Sequence, residues 1–78
     1  MNKLLNAIKD NRLAEGMTQA ELAKRVGVSR KTINTIENGV FVPSTILALK
    51  ISKELGKNVE EIFWLNSDQT HRSVRFGL

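Results

Sequence analysis

The chain has 78 residues, 41% of them hydrophobic, and no cysteine, which leaves room for one domain and excludes disulfides and thiolate metal sites. Its formal charge of +4 is uneven, with seven cations against four anions in residues 1–39, three of each in residues 40–65, and two cations against one anion in residues 66–78. A positive N-terminal half favours a polyanionic partner, nucleic acid before a membrane surface, although a solvated basic face has the same composition.

No apolar run approaches the roughly 18 residues of a membrane span. The opening stretch MNKLLNAIKDNRL is broken by polar residues and carries no small-residue cleavage site, so no signal peptide is expected there. With no cysteine besides, the expected location is the cytoplasm.

Glycines at positions 16, 27, 39 and 56 each follow an apolar-periodic segment, where helix C-caps place them. Five helices are predicted. The first covers about residues 3–14, with Leu4, Leu5, Ile8 and Leu13 facing inward. The second opens at Thr18, where TQAE is a capping box, and ends near Val26. The third runs over residues 29–38. The fourth follows Ser44 to about Leu55, with Leu47, Leu49, Ile51 and Leu55 apolar. The fifth is short, residues 59–64, in VEEIFWL.

Helices joined by short loops predict an all-α bundle over residues 1–65. Residues 66–78 differ. Val74, Phe76 and Leu78 alternate with Ser73, Arg75 and Gly77, a period-two pattern that suits a half-buried strand and a hairpin with IFWL. A frayed terminus is the other reading.

Residues 19–38, QAELAKRVGVSRKTINTIEN, carry the chemistry. Leu22, Ala23 and Val26 form one apolar stripe, Ile33 and Ile36 another, with Val28 between. Where two helices cross over a short turn, their backbones come close: Ala23 is small enough for the crossing, and Gly27 suits a left-handed turn residue. This is the helix-turn-helix pattern. Any helical hairpin shares those features, but it leaves the exposed face unexplained. Arg30 and Lys31 occupy the first turn of the third helix, where cations are unfavourable by roughly 0.3–1 kcal/mol each. With Asn34, Thr35 and Asn38 they form an outward set of the types that bond guanine acceptors, other base edges and phosphates. Their placement makes sense if a phosphate-lined groove, not the helix dipole, selects them.

The stretch LAEGMTQAELAKRVGVSRKTINTIENGVFVPSTILALKISKELGKNVEEIF resembles the Cro and phage-repressor type of helix-turn-helix regulator, the xenobiotic-response-element family, over about residues 3–64. The resemblance implies a five-helix, lambda-repressor-like DNA-binding domain in a cytoplasmic, dimeric transcription regulator. It implies that Gln19 contacts phosphate and an outer base, and that Arg30, Lys31 and Thr35 read bases. Ser29 and Thr32 would lie close to the groove and Asn38 on the phosphate backbone.

It further implies that Arg12, four residues before Gly16, forms a structural pair with Glu37. Phe41 would lie in a loop running alongside the DNA, or pack partly into the core. Two departures stand out: Thr45 and Ile46 replace the Leu and Glu common after PS, leaving Ile46 exposed, and the loop VFV has no cation, so fewer phosphate contacts are expected there. Some small members extend the bundle with a β-sheet, which favours the strand reading of the tail.

Other residues carry less. Lys24 and Arg25 read as a solvated face, as do Lys50, Lys53 and Lys57 beside Glu54, Glu60 and Glu61. Phe63 and Trp64 suit either the core or a dimer interface, to which Val74 and Phe76 of the tail would add. His71 is the single histidine, so no metal or general base is expected. No cofactor, small-molecule ligand or membrane partner is implied.

Three functions compete. One is a homodimeric regulator, by default a repressor, bound to an inverted-repeat operator of double-stranded DNA. Another is an antitoxin-like protein-binding module that also represses its own operon. The third, an enzyme, lacks a nucleophile–base pair, a metal cluster and a phosphate-cradling glycine loop.

Overall fold

The computed structural model describes residues 3–66. Short polar side chains set where its helices begin. Asn6 Oδ1 accepts the Ile8 N–H at 3.1 Å and opens α1 (Ile8–Ala14). Thr18 Oγ1 accepts the Glu21 N–H while Glu21 Oε1 accepts the Thr18 N–H, both at 3.0 Å, closing the capping box of α2 (Gln19–Val26). The Thr18 N–H first, and its hydroxyl second, hold the exposed Glu21 carboxyl below its ordinary value. Ser29 Oγ takes the Thr32 N–H at the head of α3 (Arg30–Glu37), and Ser44 Oγ takes the Leu47 N–H at the head of α4 (Thr45–Glu54). Glu61 Oε2 accepts the Asn58 N–H at 2.8 Å beside the single turn of α5 (Val59–Ile62).

The helices enclose a small core. Ile8, Leu22, Ile33, Ile36, Ile51 and Ile62 are fully buried, with Met17, Ala23, Val26, Leu55 and Phe63 around them. Ala23 is buried on the face that α2 turns to its neighbours, and Gly27 ends that helix in the left-handed region at φ 79°. Together they let α3 fold back beside α2. On α4 the hydroxyl of Ser52 is buried yet satisfied, donating to the Ala48 carbonyl at 2.9 Å.

The structure departs from the sequence expectation at both ends of the bundle. The first helix does not begin at Lys3. Instead β1 (Leu4–Asn6) pairs antiparallel with β2 (Phe63–Leu65), in the register Leu4–Leu65, Leu5–Trp64, Asn6–Phe63. The Ala7 N–H donates to the Ile62 carbonyl at 2.8 Å and the Asn66 N–H to the Lys3 carbonyl at 2.9 Å, extending the ladder on either side. Asn6 explains the break, because its side chain captures a backbone N–H that a continuous helix would use internally. The fifth helix accordingly stops at Ile62, and Phe63 is extended at φ −127°, ψ 137°. The described residues thus form five helices, with a short strand pair joining the segments before α1 and after α5.

Leu13 and Leu49 point to solvent, 57% and 52% exposed, because the buried stripes of their helices run through Ile8 and Arg12 and through Ile51, Ser52 and Leu55. Phe63 lies in the core. The strand expected over residues 74–78, with Val74 and Phe76, lies outside the described residues. Among the described residues, no helix is long and apolar enough to cross a membrane.

Candidate nucleic-acid interface

The buried side of α3 is Ile33 and Ile36, and its exposed side is Arg30, Lys31, Asn34 and Asn38. Thr32, Thr35 and Glu37 are half-buried along the margins. No acidic residue sits in the first turn, so no carboxylate there offsets Arg30 and Lys31. Ser29 and Thr32 share a 3.0 Å hydroxyl–hydroxyl bond at that end. The Thr35 hydroxyl donates back to the Thr32 carbonyl at 2.9 Å, which leaves its methyl and oxygen lone pairs for a neighbouring molecule.

Behind this face stands a polar brace. Arg12 is 6% exposed, and its guanidinium makes three bonds: Nε to Glu37 Oε2 at 2.8 Å, Nη2 to Glu37 Oε1 at 3.2 Å, and Nη1 to the Met17 carbonyl at 2.9 Å. The planar fork thereby ties α1, the loop before α2 and the last turn of α3 into one unit. No buried side-chain nitrogen or oxygen among the described residues is left without a partner. Charge this deep is tolerable only when so fully bonded.

Gln19, at the start of α2, links brace and face. Its Nε2 donates to Glu37 Oε1 at 3.0 Å and to Asn34 Oδ1 at 3.2 Å, and its Oε1 lies 3.4 Å from Arg30 Nη1. Asn38 Nδ2 also donates to Asn34 Oδ1, at 3.3 Å. Arg30, Gln19, Asn34 and Asn38 therefore form one bonded patch, while Lys31, exposed beside it, has no side-chain partner among the described residues. Ser29, Thr32 and Thr35 line the adjoining edge of α3.

Two links were not foreseen from the sequence. The Gln19–Glu37 bond is one. The other is Asn6, whose Nδ2 donates to the Ile36 carbonyl at 2.9 Å and pins the end of α3 to the sheet. An Asn ahead of an apolar-periodic segment was the available signal for its capping role, but its contact with α3 spans thirty residues and leaves no spacing pattern. In the following loop Val40, Phe41 and Val42 are exposed, and no cation stands among them. Among the described residues no group of His, Cys, Asp and Glu could hold a metal ion.

Comparison with known proteins identifies the family. A helix-turn-helix family model matches residues 8–62. The HTH-type transcriptional regulator YgzD of Bacillus subtilis is 43% identical, covering 81% of this chain and 96% of its own length. An HTH-type transcriptional regulator of Methanothermobacter thermautotrophicus is 48% identical over 78% of this chain and 90% of its own. Among solved structures, the restriction-modification controller protein C.AhdI from Aeromonas hydrophila superposes with a TM-score of 0.66 at 28% identity, covering 69% of this chain and 82% of its own.

Proposed function

The chain belongs to the helix-turn-helix family and is a DNA-binding transcriptional regulator, not an enzyme, and from that premise we propose that it works in the cytoplasm as a homodimeric repressor of an inverted-repeat operator. The observation that carries this reading is the row Arg30, Lys31, Asn34 and Asn38, exposed on α3 and braced from behind by the buried Arg12–Glu37 pair. Such a row, entering a major groove N-terminal end first, places Arg30, Lys31 and Thr35 against base edges. Ser29 and Thr32 then lie at the groove wall, with the backbone N–H of Gln19 at the head of α2 and the second amide proton of Asn38 on phosphates.

A single α3 reads only a few base pairs. Two copies related by a two-fold axis, with half-sites about 34–36 Å apart, supply the rest of the affinity and specificity. Trp64, half-buried on β2, is the described residue assigned to the contact between copies, and Val74 and Phe76, outside the described residues, are assigned to it as well. Phe63, the first residue of the same strand, is buried in the core and is not assigned to that contact. No separate ligand-binding unit is needed, since occupancy of the operator is enough to block transcription.

Selection of bound duplexes from a random pool tests the reading. The expected product is an inverted repeat with half-site centres one helical turn apart. An unrepeated motif contradicts the dimer, and the absence of any motif contradicts sequence-specific readout.

A further inference from the structure

The hydrogen bonds around Asn34 decide which of its two amide atoms faces DNA, an inference that rests on α3 being the reading helix. Glu37, paired with Arg12, is a carboxylate and can only accept. Gln19 must therefore turn its amide nitrogen toward Glu37 Oε1, 3.0 Å away. The same nitrogen lies 3.2 Å from Asn34, with a second proton to give, so Asn34 meets it with Oδ1. Asn38 Nδ2 donates to that same oxygen at 3.3 Å. Side-chain amides take their orientation from such a network, and here every link runs one way.

Asn34 Oδ1 thus holds two protein donors. Its Nδ2 has no partner among the described residues and is left to the exposed side of α3. We propose that Asn34 is a specificity-determining residue that reads DNA as a donor only, taking a base whose major-groove edge offers an oxygen acceptor, guanine or thymine. A freely turning Asn prefers adenine, bonding N6 and N7 at once; the N6 bond needs the oxygen already engaged by Gln19 and Asn38, so adenine keeps only its N7 acceptor and sets its N6 donor against the amide nitrogen. Cytosine, which presents its N4 donor, finds no acceptor on Asn34. Gln19 acts here as a positioning residue, passing the orientation of the buried ion pair outward.

The test measures affinities of wild type, Asn34→Ala, Asn34→Asp and Gln19→Ala on duplexes carrying each base in turn at every position of the selected operator. Wild type is expected to prefer guanine or thymine at one position per half-site by about five-fold or more. Asn34→Ala should erase that preference there and leave the other positions unchanged. Asn34→Asp keeps an acceptor toward Gln19 and Asn38 but presents oxygen outward, so the preference at that position should swing to cytosine or adenine. Gln19→Ala, which frees the amide to turn, should admit adenine at the same position. Adenine or cytosine preferred by wild type overturns the proposal, as does an Asn34→Ala that weakens all duplexes equally. A Gln19→Ala that leaves the preference unchanged overturns its positioning role. Loss of every sequence preference in wild type overturns the reading of α3 as well, and so is distinguishable from failure at Asn34 alone.

Discussion

Arg12 illustrates how one buried residue governs exposed ones. Its guanidinium fixes Glu37, Glu37 fixes Gln19, and Gln19 contacts both Arg30 and Asn34. Removing either partner of the ion pair strands the other charge, so Arg12→Ala or Glu37→Ala should each destabilise the fold by about 3–5 kcal/mol. The apolar pair Arg12→Met with Glu37→Leu should recover most of that loss, and chemical denaturation of the four proteins would expose any failure as simple additivity. Glu21 gives a second prediction at this scale. Its carboxyl is held below its ordinary value of 4.5 by the Thr18 N–H and hydroxyl, so its ionised form favours the folded state. That contribution is complete above pH 4.5 and is lost as pH falls through the lower folded value, so wild type and Glu21→Gln should converge in stability on acidification. A gap that widens in acid would contradict the cap. The exposure of Arg30, Lys31 and Asn34 and the Thr18 cap were legible in the sequence, because residue type and spacing carry them. The Gln19–Glu37 bond was not, since it depends on how two helices pack.

At the scale of elements, the glycines and caps were read well and the chain ends poorly. Gly16, Gly27, Gly39 and Gly56 all have positive φ, which confirms the helix ends that they mark. Gly27 has the strongest reason to be glycine, since it sets the turn between α2 and α3. An added Cβ there meets nothing within 4 Å, so Gly27→Ala isolates the backbone conformation. The expected cost is about 1–2 kcal/mol, read as a lower thermal midpoint with DNA affinity retained below it. No change in midpoint would mean that the turn tolerates other conformations. Leu4 and Leu5 were misread as helical because a short apolar run fits a helix stripe and a strand equally. Leu65 and Trp64, far along the chain, settle the choice by pairing with Leu4 and Leu5, a long-range fact that local periodicity does not contain.

For the whole molecule, the sheet that joins β1 to β2 is tied to the end of α3 by the bond from Asn6 to the Ile36 carbonyl, so the surface proposed for the dimer and the surface proposed for DNA lie on joined elements. Light scattering should find a dimer for wild type at micromolar concentration and a shift toward monomer for Trp64→Ala; a monomeric wild type would remove the two-fold operator. The central claim is that α3 reads bases with Arg30 and Lys31. The most direct measurement repeats the selection of bound duplexes with wild type, Arg30→Ala and Lys31→Ala. Wild type should enrich an inverted repeat, and each substitution should relax preference at one symmetric pair of positions while the rest of the motif persists. If both substitutions instead weaken every sequence alike, these cations hold phosphates only, and the account of α3 as the source of specificity is wrong.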